Sequence, residues 1–222
     1  MKSKEIKILI LKFENIFAKK SDIPKIRGSF AKDYPEFEEL HNHKPDGSSN
    51  YIFPIIQYRI INNNPAIIAL EKASDIVKNI FLNTKNINIS GKEHSFTEKN
   101  LKIKKYNFGM TENPSQYKFI SPWMALNQKN YKKYKNSNGF EKQNLLKNIL
   151  FGNLLTLSKG LGYTIPDKDK INVQGFFNPI KINFKNQKML GFYGNFITNF
   201  QIPDYLGLGK QSARGFGIVR KI

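Results

Sequence analysis

GLGKQSARGFG, residues 207–217, is the stretch around which the rest of the chain is organised, because two Gly-apolar-Gly triplets enclose a five-residue insert carrying Lys210 and Arg214. Glycine permits positive φ and lets other groups approach the backbone closely. Backbone amides in such loops bind phosphate, and lysine and arginine add full charges. Leu208 and Phe216 can attach both ends of the loop to a core. The predicted phosphate-binding residues are therefore Gly207, Gly209, Lys210, Arg214, Gly215 and Gly217.

Two familiar glycine motifs do not fit this stretch. A Walker-type loop needs Ser or Thr after Gly-Lys, but Gln211 follows Lys210. A dinucleotide fingerprint needs a following helix within a βαβ unit of about 30 residues. Only residues 218–222 follow the loop, enough for one strand. A glycine-rich hairpin connection with solvated charges remains the simpler alternative.

The charge balance indicates a polyanionic partner. The chain has 222 residues, 36 Lys+Arg against 17 Asp+Glu, a net charge of +19 and no cysteine. Such an excess of basic residues favours nucleic acid. The absence of cysteine excludes disulfides, thiolate-bound zinc and a cysteine nucleophile. Most of the basic residues are lysines, and the only arginines are Arg27, Arg59, Arg214 and Arg220. Where lysine is the usual cation, an arginine favours fork-shaped recognition of phosphate.

The first half of the chain predicts a β-α-β-β-α-β order. Strands are expected at residues 5–13, 51–61, 66–70 and 101–108, with short strand material at 87–89. Asp22 is a candidate N-cap, with Pro24 in the first turn of a helix through Phe30. Apolar residues at helical spacing from Ala73 to Phe81 predict a second helix. This order is that of a ferredoxin-like unit.

The second half predicts the same outline after a polar break at residues 111–116. Strands are expected at 117–120, 171–177, 180–184, 189–196 and 216–222, with a helix from about Phe140. A second helix is poorly signalled, since residues 198–206 are few for it. The predicted fold class is α+β, with two tandem ferredoxin-like (RRM-like) units, residues 1–112 and 113–222.

The glycine stretch resembles a known family signature. The Gly-apolar-Gly, basic insert, Gly-apolar-Gly pattern at residues 207–217 is similar to the signature loop of the repeat-associated mysterious protein superfamily. Its place at the end of a chain of this length resembles the CRISPR-associated endoribonucleases that cut repeat transcripts into guide RNAs. The resemblance implies two tandem ferredoxin-like units and CRISPR repeat RNA as the partner.

Two histidines are the candidate general acid and base. His41 and His43 stand two apart in a polar stretch after the first helix. Imidazole suits both proton transfers of RNA cleavage, because its pKa lies near neutrality. Solvent-exposed loop histidines are the alternative from the residues alone. A metal site with Glu38, Glu39 or Asp46 is a third reading, although no recognised ligand spacing is present.

The resemblance adds roles to these residues. Family members place a catalytic histidine just after the first helix, where His41 and His43 lie, and one branch adds a later tyrosine. Tyr51 is the candidate here, ahead of Tyr58; a core aromatic at a strand end is the alternative for Tyr51. His94 is interpreted as a surface residue in a loop. No metal and no cofactor are expected.

A second basic segment interleaves aromatics with lysines. Tyr131, Lys132 and Lys133 lie in residues 127–135, where bases could stack on tyrosines while lysines follow phosphates. The alternative is a solvated helix start. Lys102 and Lys104 share one face of a predicted strand, as a phosphate track or an exposed edge.

The sequence therefore predicts a metal-independent endoribonuclease that leaves a 2′,3′-cyclic phosphate and a 5′-hydroxyl. The alternatives are a non-catalytic RNA-binding subunit of a CRISPR effector complex and a general RNA chaperone. Effector-complex proteins and a second copy of the chain are further candidate partners. The apolar run at the N-terminus is broken by Lys7 and Lys12, so neither a signal peptide nor a membrane partner is expected, and a cytoplasmic protein is predicted.

Overall fold

The protein folds into two compact units. The computed structural model describes residues 3–40, 52–184 and 187–222. The N-terminal unit comprises Glu5–Tyr106 and Ala213–Gly215. The C-terminal unit comprises Asn107–Ser212 and Phe216–Ile222, together with residues 3–4 at the start of the chain.

The N-terminal unit has the predicted ferredoxin-like topology. The strand order in its sheet is β2-β3-β1-β6, and two helices connect the strands in the expected places. An additional hairpin, β4 and β5, forms a separate two-stranded sheet before β6. The elements are β1 Lys4–Phe13, α1 Ile23–Asp33, β2 Ile56–Ile61, β3 Asn64–Leu70, α2 Ala73–Asn83, β4 Asn86–Ile89, β5 Lys92–Ser95 and β6 Lys99–Phe119.

Local sequence explains the β2–β3 hairpin and the start of α1. Asn62 and Asn63 occupy the turn with φ of 51° and 62°, a conformation that asparagine tolerates better than most residues. The two strands pair from Ile61↔Asn64 onward, which fixes their register. Pro24 lies in the first turn of α1, as the sequence predicts. Asp22 precedes the helix, but its carboxylate makes no capping hydrogen bond to α1 and instead accepts from the Lys19 N–H at 2.9 Å.

The C-terminal unit repeats the strand order with one crossover changed. β9 pairs with β6, and β6 pairs with β8, which pairs with β7. Both α-helices lie between β6 and β7, whereas residues 202–218, between β8 and β9, contain no α-helix, and their only helical element is the short 3-10 helix Ser212–Arg214. The elements are α3 Gln128–Asn136, α4 Gly139–Gly160, β7 Val173–Phe184, β8 Gln187–Gln201 and β9 Val219–Lys221.

Two sequence expectations for this unit require correction. The separate strands at 171–177 and 180–184 are one strand, β7, in which Pro179 pairs with Phe192. Proline is tolerated there because β7 is an edge strand, so the missing N–H need not face a neighbour. The polar residues 111–116 lie inside β6, where the β6–β8 register shifts between Met110 and Ser115.

An aromatic core supports the C-terminal sheet. Trp123 is 0% exposed and stacks on Phe119 with ring centroids 5.0 Å apart. Phe177 and Phe192 also contact the Trp123 ring. The side chain of Gln143, in α4, accepts from the Phe177 N–H and donates to its carbonyl, at 3.0 and 2.9 Å. These bonds occupy main-chain groups on the edge of β7 that would otherwise be open to another strand.

Candidate RNA interface

The glycine loop, defined as Gly207–Gly217, is attached to the C-terminal unit at both ends. Leu208 is fully buried, and its N–H donates to the Gly217 carbonyl at 2.9 Å. Phe216 packs edge-on against Phe184 with centroids 5.5 Å apart. The two apolar residues between the glycines therefore hold the loop as the sequence suggests.

Two of the glycines are required by the packing of the chain itself. Gly217 has φ +62°, and a Cβ there would lie 2.0 Å from the Leu208 carbonyl oxygen. Gly209 has φ +78°, and a Cβ there would lie 2.6 Å from Nε1 of Trp123. The Gly217 N–H also donates to the Pro122 carbonyl at 2.9 Å. This amide is used within the fold, so the cationic side chains carry more of the predicted phosphate binding than the glycine pattern suggests.

Lys210 is the exposed cation of the loop in the C-terminal unit. Its N–H donates to the Met124 carbonyl at 3.2 Å, which fixes the backbone. Its side chain is exposed to solvent. Gln211 follows with φ 59°, so the chain turns sharply after the lysine. The loop thus presents an ammonium group from a backbone held by the core.

Arg214 lies in the N-terminal unit beside a second arginine. Gly215 packs so closely there that a Cβ would lie 2.5 Å from Cδ1 of Ile23, with the Tyr58 carbonyl oxygen at 3.8 Å. Burial lowers the pKa of Arg214. Burial also lowers the pKa of Arg27, and the Arg214 charge lowers it further. An anion bound here would relieve the repulsion between the two guanidinium groups.

Arg27 and Tyr58 together hold the main chain at Leu40. The Arg27 Nε–H donates to the Leu40 carbonyl at 3.2 Å, and the Tyr58 hydroxyl donates to the same oxygen at 3.3 Å. Burial raises the pKa of Tyr58, so its hydroxyl stays protonated. Leu40 is the residue before His41 in the chain. The sequence did not predict this cluster; the scarcity of arginine was the only signal for Arg27.

The predicted catalytic residues His41, His43 and Tyr51 lie outside the described residues. Tyr58, the second tyrosine considered, is buried and bonded to Leu40, which gives it a structural role. His94 lies in the strand β5, opposite Ile87, instead of in a loop, and is half-buried.

The predicted aromatic and lysine segment forms the helix α3. Asn127 caps its start, because the side-chain oxygen accepts from the Asn130 N–H at 2.7 Å. Tyr134 packs against Phe192 and lies 5.2 Å below the Lys142 ammonium. Tyr131, by contrast, is exposed, as are Lys132 and Lys133. Tyr134 is therefore half-buried against Phe192, whereas Tyr131 has its ring open to solvent.

Lysines of β6 form a second exposed row. Lys102 and Lys104 are exposed in β6, and Lys105 pairs with Glu5 at 2.7 Å.

Within residues 3–40, 52–184 and 187–222, no cluster of three or more metal-ligating side chains is found. None of the helices in these same ranges is both long and apolar enough to cross a bilayer.

Two ferredoxin-like units in tandem and a basic glycine loop after the last long strand define a Cas6-type CRISPR repeat-processing protein. Family models for the Cas6b N-terminal and C-terminal domains match residues 4–107 and 109–222. The chain therefore belongs to the Cas6b family, and the resemblance seen in the sequence is confirmed.

Individual proteins agree with this assignment. A structure described as Cas6b has a TM-score of 0.91 and 38% identity, covering 99% of this chain and 100% of that chain. A structure described as the CRISPR RNA processing endoribonuclease Cas6b has a TM-score of 0.79 and 35% identity over the same shares. An uncharacterized protein of Methanocaldococcus jannaschii is 41% identical over 143 residues, 64% of this chain and 97% of that protein.

Proposed function

We propose that this protein is an endoribonuclease that cuts CRISPR repeat transcripts into guide RNAs. Membership of the Cas6b family supports this activity, and a similar structure is described as a CRISPR RNA processing endoribonuclease. The net charge of +19 suits an RNA substrate. RNA is the primary partner; effector-complex proteins and a second copy of the chain are further candidate partners.

The proposed reaction is a metal-independent transesterification. The 2′-oxygen of one nucleotide attacks the adjacent phosphorus, and the bond from phosphorus to the 5′-oxygen breaks. A base removes the 2′-hydroxyl proton, and an acid protonates the leaving 5′-oxygen. The products are a 2′,3′-cyclic phosphate and a 5′-hydroxyl. His41 and His43 supply the base and the acid, and Tyr51 assists by hydrogen bonding to the scissile phosphate.

One observation carries the assignment of the cationic residues. The carbonyl of Leu40 is held by Arg27 and Tyr58, and the guanidinium of Arg214 acts on Arg27 in the same unit. The main chain at Leu40, the residue directly before His41, is therefore held in place beside two positively charged side chains. Arg214 binds RNA phosphate near that point, while Lys210 and the glycine loop bind phosphate in the C-terminal unit.

The helix α3 supplies a further RNA contact. Tyr131 presents an open ring, and Lys132 and Lys133 are exposed beside it. A base stacked on Tyr131 with phosphates along the lysines fits sequence-tolerant binding of a single strand.

Cleavage of the cognate repeat tests the proposal. The purified protein in excess over a 5′-labelled repeat RNA is expected to cut at one position within the repeat. A flanking spacer sequence of the same length is the control and should remain intact. Tight binding of the repeat without any cut would contradict the proposal and favour a non-catalytic RNA-binding subunit.

A further inference from the structure

Phe17 is an aromatic side chain held outward by a fixed backbone. It is 83% exposed, the most exposed large apolar side chain among the described residues, whereas Ile16 and Ala18 beside it are 2% and 6% exposed. The Asn64 side-chain amide donates to the Ile16 carbonyl at 3.2 Å, and the Ala18 N–H donates to the Asn63 carbonyl at 2.8 Å. The backbone is therefore fixed on both sides of the exposed ring.

The surroundings of Phe17 are polar and basic. Asn62 and Asn63, in the turn to which this segment is bonded, are exposed and can donate and accept through their amides. Lys19 and Lys20, directly after the buried Ala18, are exposed as well. Asp22, the next acidic residue along the chain, accepts from the Lys19 N–H and lies 3.8 Å from Lys25. We call Phe17, Lys19, Lys20, Asn62 and Asn63 the Phe17 patch.

The Phe17 patch lies near Arg214 within the N-terminal unit. Gly215 packs against Ile23 and approaches the Tyr58 carbonyl. In the β2–β3 hairpin, the Tyr58↔Ile67 pair is three residue pairs from the Ile61↔Asn64 pair at the turn. At 3.4 Å per residue, these positions are about 10 Å apart along the strand. A single strand of RNA bound at Arg214 could therefore reach the exposed ring within a few nucleotides.

We propose that Phe17 stacks on an unpaired base of the bound RNA, a contact outside the cleavage chemistry. Lys19 and Lys20 follow the phosphates on either side of that base, and Asn62 or Asn63 contacts its edge. An aromatic face, nearby cations and amide groups are the components that single-stranded RNA sites combine. The occupant is RNA, because the cations beside the ring suit phosphate and a protein partner would need an apolar area larger than one ring. The inference rests on the proposed RNA substrate but not on cleavage.

Equilibrium binding of repeat RNA, measured across a salt series, tests the inference. Phe17→Ala should weaken affinity roughly 5- to 100-fold, the range expected for loss of one stacked base, with the slope against log salt unchanged. Phe17→Tyr should retain affinity, because its ring can still stack. Leu82→Ala is the matched control, since Leu82 is 75% exposed on α2, and should bind like wild type. Wild-type affinity of Phe17→Ala would overturn the inference.

A fluorescence measurement gives a second readout that does not depend on affinity. The chain has one tryptophan, Trp123, which is 0% exposed. The variant Phe17→Trp therefore adds a single exposed indole, and its emission should be quenched when repeat RNA binds. Leu82→Trp should show no quenching. Equal quenching in both variants, or in neither, would overturn the inference.

The failure of this inference is distinguishable from the failure of the proposed function. Normal cleavage by Phe17→Ala with wild-type affinity would reject the stacking contact and leave the nuclease intact. Repeat binding that depends on Phe17 in a protein that never cuts RNA would support the stacking contact and reject the nuclease.

Discussion

The two units have the same strand order but differ in the second crossover. In the N-terminal unit it is the helix α2, Ala73–Asn83, which buries Ala73, Val77 and Ile80 against the sheet. In the C-terminal unit the same place in the chain is taken by residues 202–218, whose only helical element is the short 3-10 helix Ser212–Arg214. The buried Leu208 shows that a loop can still cover core there. Replacing a helix by a loop leaves the strand order intact and presents Lys210 to solvent.

The units also differ in what they bury. The C-terminal core is aromatic, with Trp123 at its centre. The N-terminal unit buries polar groups on β2. Burial there lowers the pKa of Arg59 to about 9, and this arginine donates to the Tyr58 carbonyl at 2.7 Å and to the Gln57 side chain. These hydrogen bonds give partners to polar groups of β2 whose burial would otherwise cost stability. In the proposed function, the catalytic histidines belong to the N-terminal unit, and the C-terminal unit carries the proposed RNA contacts Lys210, Tyr131, Lys132 and Lys133.

The largest expected effect belongs to the N-terminal unit. The double variant His41→Ala with His43→Ala should slow single-turnover cleavage by roughly 10²- to 10⁴-fold, the usual contribution of general acid–base catalysis. Repeat affinity should stay nearly unchanged. His94→Ala is the control, because His94 lies in β5 and is not one of the proposed catalytic residues. This variant should cleave like wild type. Wild-type cleavage by the double variant would show that the chemistry resides elsewhere.

A stability measurement tests whether the glycine loop packs against the core of the C-terminal unit, in the place that the helix α2 takes in the N-terminal unit. Gly217→Ala should lower the free energy of unfolding by about 2 kcal/mol or more, because φ is positive and the new Cβ would meet the Leu208 carbonyl. Gly152→Ala, in α4, has no atom within 4 Å of the new Cβ and should raise the free energy by about 0.5–1 kcal/mol. Denaturant unfolding measures both. Equal stability of the two variants would mean that the loop is not packed as described.

How far the sequence predicted this structure differs between the units. The N-terminal order followed from clear apolar periodicity, and Asn62–Asn63 marked its hairpin. In the C-terminal unit, two strands were predicted on either side of residues 178–179 where the structure has one, because sequence alone does not reveal that β7 is an edge strand, which tolerates Pro179. The glycine spacing identified the loop, yet the Gly217 amide proved to be bonded to Pro122, an interaction between distant positions that no local pattern shows. The Arg27–Leu40–Tyr58 hydrogen bonds escaped prediction for the same reason.

A smaller effect is expected from the two loop cations. Lys210→Ala with Arg214→Ala should flatten the slope of log affinity against log salt by about 1.4, since each phosphate of single-stranded RNA that is no longer neutralised accounts for about 0.7. Saturating RNA should restore much of the cleavage rate. The control is Lys78→Ala with Lys170→Ala, since both lysines lie in exposed ion pairs within their own segments. An unchanged slope together with abolished cleavage would place the loop in the catalytic site.

The smallest effect separates the two tyrosines of α3. Tyr131→Ala should weaken repeat binding about fivefold, the low end for one stacked base, without changing stability, because its ring is exposed. Tyr134→Ala should instead lower the free energy of unfolding by about 1 kcal/mol or more, since its ring packs against Phe192. Affinity and denaturant unfolding of both variants check this. Exchange of the two outcomes would contradict the assignment of α3 to the interface.

The most direct measurement is the end chemistry of the cleaved repeat in the presence of EDTA. We expect a normal rate of cleavage, with a 2′,3′-cyclic phosphate on the upstream fragment and a 5′-hydroxyl on the downstream fragment. Both ends follow from attack by the 2′-oxygen with proton transfer by side chains. Loss of cleavage in EDTA that Mg²⁺ or Mn²⁺ restores, or a 3′-hydroxyl on the upstream fragment, would contradict the account.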